Sequence, residues 1–185
     1  MKENAISLFD DGALYRISIN DEESIGCGAL TASNFAIQDN SAIKIAPFES
    51  HLSQIWRVHK RDDETCSFEN MASRMYMTLS CDNENNNYVS VCLDGTNDIA
   101  KRWIIYTHDG TISNCSIENV YSHNNLSVIN CDADLSRLRI DGQGAWSFSF
   151  TKLSDGDEQY PYMLVLSGDI NGAASCPEII YHDGV

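Results

Sequence analysis

The three tryptophans of this 185-residue chain stand at positions 56, 103 and 146, and each opens a run with apolar residues on alternate positions. The runs are Gln54-Ile55-Trp56-Arg57-Val58, Arg102-Trp103-Ile104-Ile105-Tyr106 and Ala145-Trp146-Ser147-Phe148-Ser149-Phe150. Alternation with a period of two means strands with one buried face. A second marker keeps step with the first. Tyr15-Arg16-Ile17 is matched by Cys66-Ser67-Phe68-Glu69-Asn70 and by Cys115-Ser116-Ile117-Glu118-Asn119, so apolar side chains recur at 17, 68 and 117. Three units of about 45 to 50 residues follow, and a period of that size restricts the chain to a closed or stacked repeat architecture.

Turn-forming residues divide each unit into four short strands. Unit one, about residues 12–60, offers 14–19, 29–32, 42–46 and 54–58. Unit two, about 61–109, offers 66–69, 76–79, 88–92 and 102–106. Unit three, about 110–153, offers 115–118, 126–129, 138–140 and 146–150. No stretch keeps the apolar stripe of a helix, so the fold class is all-β. Twelve short antiparallel strands must hide their edges, and closure in threefold repetition does so. Residues 1–153 form the repeat domain, and 154–185 form a C-terminal extension in which 162–166 could add a strand.

One domain of this length buries enough surface to need no staples. The net charge of −15 repels phosphate backbones and anionic membrane surfaces, which argues against a nucleic-acid partner. No segment approaches the length of a membrane span, and the first twenty residues lack the apolar core of a signal peptide, so the expected location is the cytoplasm, with secretion left open. The five histidines and seven cysteines form no metal-ligand spacing, so no metal or other cofactor is expected. Cys66 and Cys115 share a strand face with Phe68 and Ile117, which suits buried thiols acting as small apolar residues. Cys81 and Cys92 flank one polar loop and could bridge under oxidising conditions. No catalytic motif appears, and the chain is read as a non-enzyme.

Gln54-x-Trp56, the preceding Ala42-Ile43-Lys44-Ile45-Ala46-Pro47, and Arg102-Trp103 followed by Asp109-Gly110-Thr111-Ile112-Ser113-Asn114 resemble the ricin B-type β-trefoil lectins over roughly residues 12–153. The resemblance implies a six-stranded barrel under a cap of three hairpins, and carbohydrate binding without catalysis. Sugar sites of that family combine an Asp after the second strand of a unit, an aromatic ring near the end of the third, and an Asn just before Gln-x-Trp. The carboxylate accepts from vicinal hydroxyls, the ring stacks on the pyranose and the amide fixes the epimer. Here every unit departs from that set. Unit one has Ala46 and Ser53 at the ring and amide positions; unit two has Asp82 as its acid but Cys92 and Lys101 at the other two. Unit three departs least: Asp132 or Asp134 could serve as the acid and Gln143 could stand in for the amide, with Asn130 in the same polar set, while its third strand carries Arg139 and no aromatic ring. The expected partner is a glycan or glycoprotein, bound weakly at each site, so that avidity calls for several sites or a homo-oligomer.

A second trefoil group is similar in other residues. Asp11-Gly12-Ala13-Leu14-Tyr15, the glycine-rich loop Gly26-Cys27-Gly28 and the Gln54-Ile55-Trp56 close resemble the clitocypin-type protease inhibitors. That resemblance implies a cysteine protease as partner, with Gly26, Cys27 and Gly28 entering its cleft, where glycines permit close approach, and Asn70 in a loop directed at asparaginyl proteases. A protein-binding trefoil without sugar sites is the third alternative.

Overall fold

The computed structural model describes residues 2–19, 28–32, 41–81, 87–92, 98–129, 137–140 and 146–153. Thirteen strands lie among them, and none of the described residues is in an α-helix. A short N-terminal strand, β1 (Glu3–Asn4), precedes the first unit. The units follow as β2 (Leu14–Ile19), β3 (Gly28–Ala32), β4 (Ser41–Pro47) and β5 (Ile55–Lys60); β6 (Cys66–Asn70), β7 (Tyr76–Cys81), β8 (Asn87–Cys92) and β9 (Trp103–Thr107); and β10 (Cys115–Asn119), β11 (Asn124–Ile129), β12 (Arg137–Ile140) and β13 (Phe148–Leu153).

The pairings close into two rings. β2 pairs β5, β5 pairs β6, β6 pairs β9, β9 pairs β10, β10 pairs β13, and β13 returns to β2. That is a six-stranded barrel with no free edge. The remaining strands form the hairpins β3–β4, β7–β8 and β11–β12. These meet through β4–β8, β8–β12 and β12–β4. Advancing the labels of β2 to β13 by four strands, with β2 following β13, carries each of these pairings onto another, so the fold is a threefold β-trefoil, as the repeat implied. Residues 154–185, with the candidate strand at 162–166, lie outside the described residues.

Alternation in the barrel strands sends one side chain in two to a common interior. Ile17, Val58, Phe68, Ile105, Ile117 and Phe150 form one layer, each paired in register with another of the set and all buried. Phe9 plugs the barrel beside them, 4.9 Å edge-on from the Phe150 ring and 5.2 Å from Tyr15. Trp56 and Trp103 are fully buried, and each indole N–H donates to a carbonyl of its own unit's hairpin, Leu30 O at 2.9 Å and Met77 O at 3.1 Å. Each tryptophan therefore fastens cap to barrel.

The third unit corrects the sequence phase. Trp56 lies opposite Tyr15, Trp103 opposite Cys66, and Phe148 opposite Cys115. Phe148, not Trp146, is the third member of the set. It is fully buried, whereas Trp146 is half-buried two residues before it and packs on the core from outside the strand. A phenyl ring has no N–H, so the third hairpin lacks the indole fastening seen in the other two units.

Cys66 and Cys115 are free and buried. Burial pushes the Cys66 thiol far above its ordinary value and lifts Cys115 to about 11, helped there by the Asp109 carboxylate. The hairpin register excludes a Cys81–Cys92 bridge. Cys81 lies opposite Asn87 and Cys92 opposite Tyr76, so the two backbones are on the order of 15 Å apart along the ribbon, beyond a disulfide's reach.

Candidate functional site

The outward face of the β5–β6 hairpin carries Arg57 and His59 opposite Glu69 and Ser67, and Tyr76 of β7 lies opposite Glu69. Outward residues of a small barrel are normally solvated, yet the Glu69 side chain is only 7% exposed. Three basic side chains cover it: His59 Nε2 at 2.8 Å, Arg74 Nε at 2.8 Å and Arg57 Nη1 at 3.6 Å. A carboxylate so enclosed is held by its partners, and removing them would leave an uncompensated charge.

Above this floor lies a pocket of about 230 Å³ lined by His59, Lys60, Arg61, Ser67, Tyr76 and Lys101. Lys101 comes from the 3-10 turn Asp98–Lys101 that leads into β9; it is 2% exposed, with its ammonium 5.6 Å from the Tyr76 ring centroid. The His59 ring stands 5.9 Å from the same ring. Lys60 Nζ donates to Phe9 O at 3.0 Å. Arg61 forks onto Asp98 at 3.0 and 3.4 Å, and Arg102 bridges Asp98 and Asp63. Asp98 is held below the ordinary carboxylate range chiefly by its bond from Arg102, and Asp63 chiefly by the Thr65 hydroxyl. Among the described residues the lining includes Lys60, Arg61 and Lys101 beside His59, Ser67 and Tyr76. Chemically it offers an aromatic ring beside hydrogen-bonding side chains.

The sequence-derived positions fall unevenly. Asp82, Asn130, Asp132, Asp134 and Gln143 lie outside the described residues, as do Gly26 and Cys27. The barrel register nevertheless revises one alignment: with Phe148 in the tryptophan's place, the amide position just before the motif is Ala145, and Gln143 stands two residues earlier. By the same register Lys101 matches Gln54 itself, and Ala100 takes the amide position. Gln54 has a structural task. Its amide donates to Pro47 O at 2.7 Å and to Thr31 Oγ1 at 3.1 Å, while its carbonyl accepts from Glu49 N.

Gly28 opens β3 opposite Pro47, and a Cβ there would lie 2.2 Å from Ile45 Cγ2. Its lack of a side chain thus answers to sheet packing. Asn70 is fully buried, so its side chain is not presented to a protease. Its amide donates to Ser53 O at 2.9 Å, and its Oδ1 accepts from the backbone N–H groups of Ala72 and Ser73. Asn119 repeats this, donating to Ala100 O at 3.0 Å and accepting from Tyr121 and Ser122. Each of the two asparagines closes a turn whose left-handed residue is Arg74 or His123. Asn-x-x-Ser-basic, present at 70–74 and again at 119–123, is a sequence signal for that turn.

No family model and no curated protein matches the chain in sequence. Solved structures match it in shape. A designed threefold-symmetric protein, ThreeFoil, superposes with a TM-score of 0.63 at 14% identity, over 76% of this chain and 99% of its own. The ricin B-like lectin of Macrolepiota procera, solved in complex with lactose, gives 0.59 at 14% identity over 77% and 96%. The Rhizoctonia solani agglutinin gives 0.61 at 13% over 78% and 98%. At these identities the likeness establishes the fold alone, and the fold is the β-trefoil.

Proposed function

We propose that this chain is a carbohydrate-binding β-trefoil that acts by recognition without catalysis, through sites that depart from the family's usual set. One observation carries the reading: the barrel and three-hairpin cap superpose on a ricin B-like lectin solved in complex with lactose, along nearly its whole length. Two places are the candidates. The first is the pocket of unit two, which supplies Tyr76 as a ring and several hydrogen-bond donors. The second is the polar set Asn130, Asp132, Asp134 and Gln143 of unit three, which supplies acceptors for vicinal hydroxyls. With little aromatic stacking, each site is expected to bind near the millimolar end, about −4 kcal/mol, and useful avidity comes from several sites or copies.

A glycan array read with the intact chain, followed by titration of its best hits, tests the proposal. Binding to a defined set of saccharides is expected, with the array hits surviving heat-stability controls. An array with no hit, together with inhibition of a papain-like protease, would replace this reading with the inhibitor one.

A further inference from the structure

Among the described residues three buried side-chain atoms have no hydrogen-bond partner: Arg16 Nε, Ser116 Oγ and Asn125 Oδ1. Buried polar atoms are nearly always paired, so each exception raises the question of what would pair it. Strand register puts all three at one place of the repeat. Tyr15, Cys66 and Cys115 lie opposite Trp56, Trp103 and Phe148, so Arg16, Ser67 and Ser116, each one residue further on, are equivalent. Glu69 lies opposite Tyr76 as Glu118 lies opposite Asn125, so Tyr76 and Asn125 are equivalent too. In unit two this place on the outer face of the barrel is the pocket that Ser67 and Tyr76 line.

The three units fill it differently. In unit one Arg16 Nη2 donates to Thr151 Oγ1 at 3.2 Å and the guanidinium lies over the Phe48 ring at 4.7 Å. In unit two Glu69 is covered by Arg57, His59 and Arg74. Unit three has Ile104, Tyr106 and His123 in the places of those three basic residues, and no donor among the described residues meets Glu118. Side chains of a directly opposed antiparallel pair leave the same face with their Cβ atoms about 5 Å apart, so Glu118 and Asn125 set two unpaired acceptors side by side. Burial, and after it the Glu118 carboxylate, raise the Tyr106 phenol above its ordinary value, which keeps it protonated and able to donate beside them. Lys2 Nζ covers the Tyr106 ring at 5.2 Å from its centroid, so stacking falls to a second ring. Half-buried Trp146 stands where unit two has Lys101, whose ammonium is 5.6 Å from the ring of Tyr76, the equivalent of Asn125. Ser116 is fully buried at the base of this face, while Tyr106, Glu118, Asn125 and Trp146 are each partly exposed. A single carboxylate is too few for a calcium-type cation, whereas a carboxylate, an amide and a ring together suit a hydroxyl-rich ligand with one apolar side.

We infer that the outer face of β9, β10 and β11 binds a neutral pyranose: Glu118 and Asn125 Oδ1 accept from adjacent hydroxyls, Tyr106 donates, and Trp146 takes the apolar side of the sugar ring. The inference rests on the glycan-binding reading, to which it adds a third place and a ligand class. The sugar's hydroxyls pair the acceptors that folding leaves unpaired, so these groups serve recognition instead of stability.

The test uses the full 15N-labelled chain, titrated with the methyl glycosides of galactose, glucose and mannose, with the saccharides an array selects, and with choline as a cationic probe. The amides of Tyr106, Ser116, Glu118 and Asn125 and the Trp146 indole N–H are followed in the parent, in Glu118→Gln, in Asn125→Leu, and in a double variant carrying Asp132→Ala and Gln143→Ala. Melting temperatures are recorded for all. The expected result is a saturable shift of this set with a neutral pyranoside, weakened about fivefold or more in Glu118→Gln and in Asn125→Leu and unchanged in the double variant. Neither single variant should melt lower than the parent, because neither group has a partner to lose; Glu118→Gln, on a partly exposed residue, decides the matter if Asn125→Leu fails to fold. A saccharide that binds with these resonances unmoved, and equally well in Glu118→Gln, would overturn the inference while leaving the glycan reading standing. Choline shifting the set where no pyranoside does would overturn the sugar assignment of this face. Binding of no saccharide anywhere on the chain would sink the glycan reading and this inference with it.

Discussion

Replacing each of Trp56, Trp103, Trp146 and Phe148 by Ala separates the repeat that tryptophan spacing suggests from the one that strand register defines. Trp56 and Trp103 are fully enclosed, and their loss should cost about 3–5 kcal/mol for the cavity alone. Each also leaves a hairpin carbonyl, Leu30 O or Met77 O, without its indole donor, which adds about 1–3 kcal/mol. Phe148→Ala makes a comparable cavity without orphaning a carbonyl, so about 3–5 kcal/mol is expected. Trp146 is half-buried and outside the strand, and its truncation should cost about 1–2 kcal/mol. Urea unfolding followed by far-UV circular dichroism gives the four values. Because domains of this kind hold only about 5–15 kcal/mol, Trp56→Phe and Trp103→Phe serve where the Ala variants fail to fold. Those milder changes should each cost about 1–2 kcal/mol, mostly the lost N–H bond. A Trp146→Ala cost equal to that of Trp103→Ala, with Phe148→Ala mild, would refute the register argument.

Three further predictions follow from the packing. Iodoacetamide at pH 8 should leave Cys66 and Cys115 unmodified in the native chain and label both after denaturation, and peptide mapping should find no Cys81–Cys92 disulfide; labelling of either buried thiol at the unfolded rate would contradict the placement. Glu69→Ala, which strands Arg57, Arg74 and His59 around an enclosed site, should cost about 3 kcal/mol, whereas Glu118→Ala at the matching position should stay within about 1 kcal/mol; equal costs would refute the claim that the cluster is specific to unit two. Asp10, Asp63, Asp98 and Asp109 all titrate below the ordinary value of 3.8 because Lys152, Thr65, Arg102 and Thr111 bond them. Their contribution is present above that ordinary value and is lost as pH falls through the lowered ones, so the unfolding midpoint should be level near neutrality and drop below about pH 4; a midpoint that rises on acidification would reverse the sign.

Much of the trefoil is written in the alternation itself. The strand 14–19 and the starts of 66–69, 76–79 and 115–118 are where the structure has them, because one buried face fixes both period and phase. The third unit misleads since tryptophan is the rarer letter: Trp146 draws the eye, while the buried position belongs to Phe148 two residues on, in the same alternation. The strand at Glu3–Asn4 carries no pattern, being two residues held by pairing with Thr107 and Tyr106. Asn70 illustrates the opposite error. A loop asparagine reads as available, but repetition of Asn-x-x-Ser-basic at 119 marks it as a turn former. The pocket was hidden for a different reason. His59, Lys60, Arg61, Ser67, Tyr76 and Lys101 come from three strands, the residue after the first of them and a 3-10 turn, and each alone reads in the sequence as an ordinary polar residue. The one available clue is that six of the twelve basic residues, Arg57, Lys60, Arg61, Arg74, Lys101 and Arg102, fall between 57 and 102.

Residue-resolved amide shifts, followed while the 15N-labelled chain is titrated with the saccharides that an array selects, test the proposal of sugar recognition most directly. The account predicts saturable shifts confined to residues around 59–61, 67, 76 and 101, to those around 106, 116, 118, 125 and 146, to the 130–143 segment, or to more than one of these, with the barrel interior unmoved. Titration to tens of millimolar with no shift anywhere, or shifts gathered only at Gly26–Gly28, would contradict it.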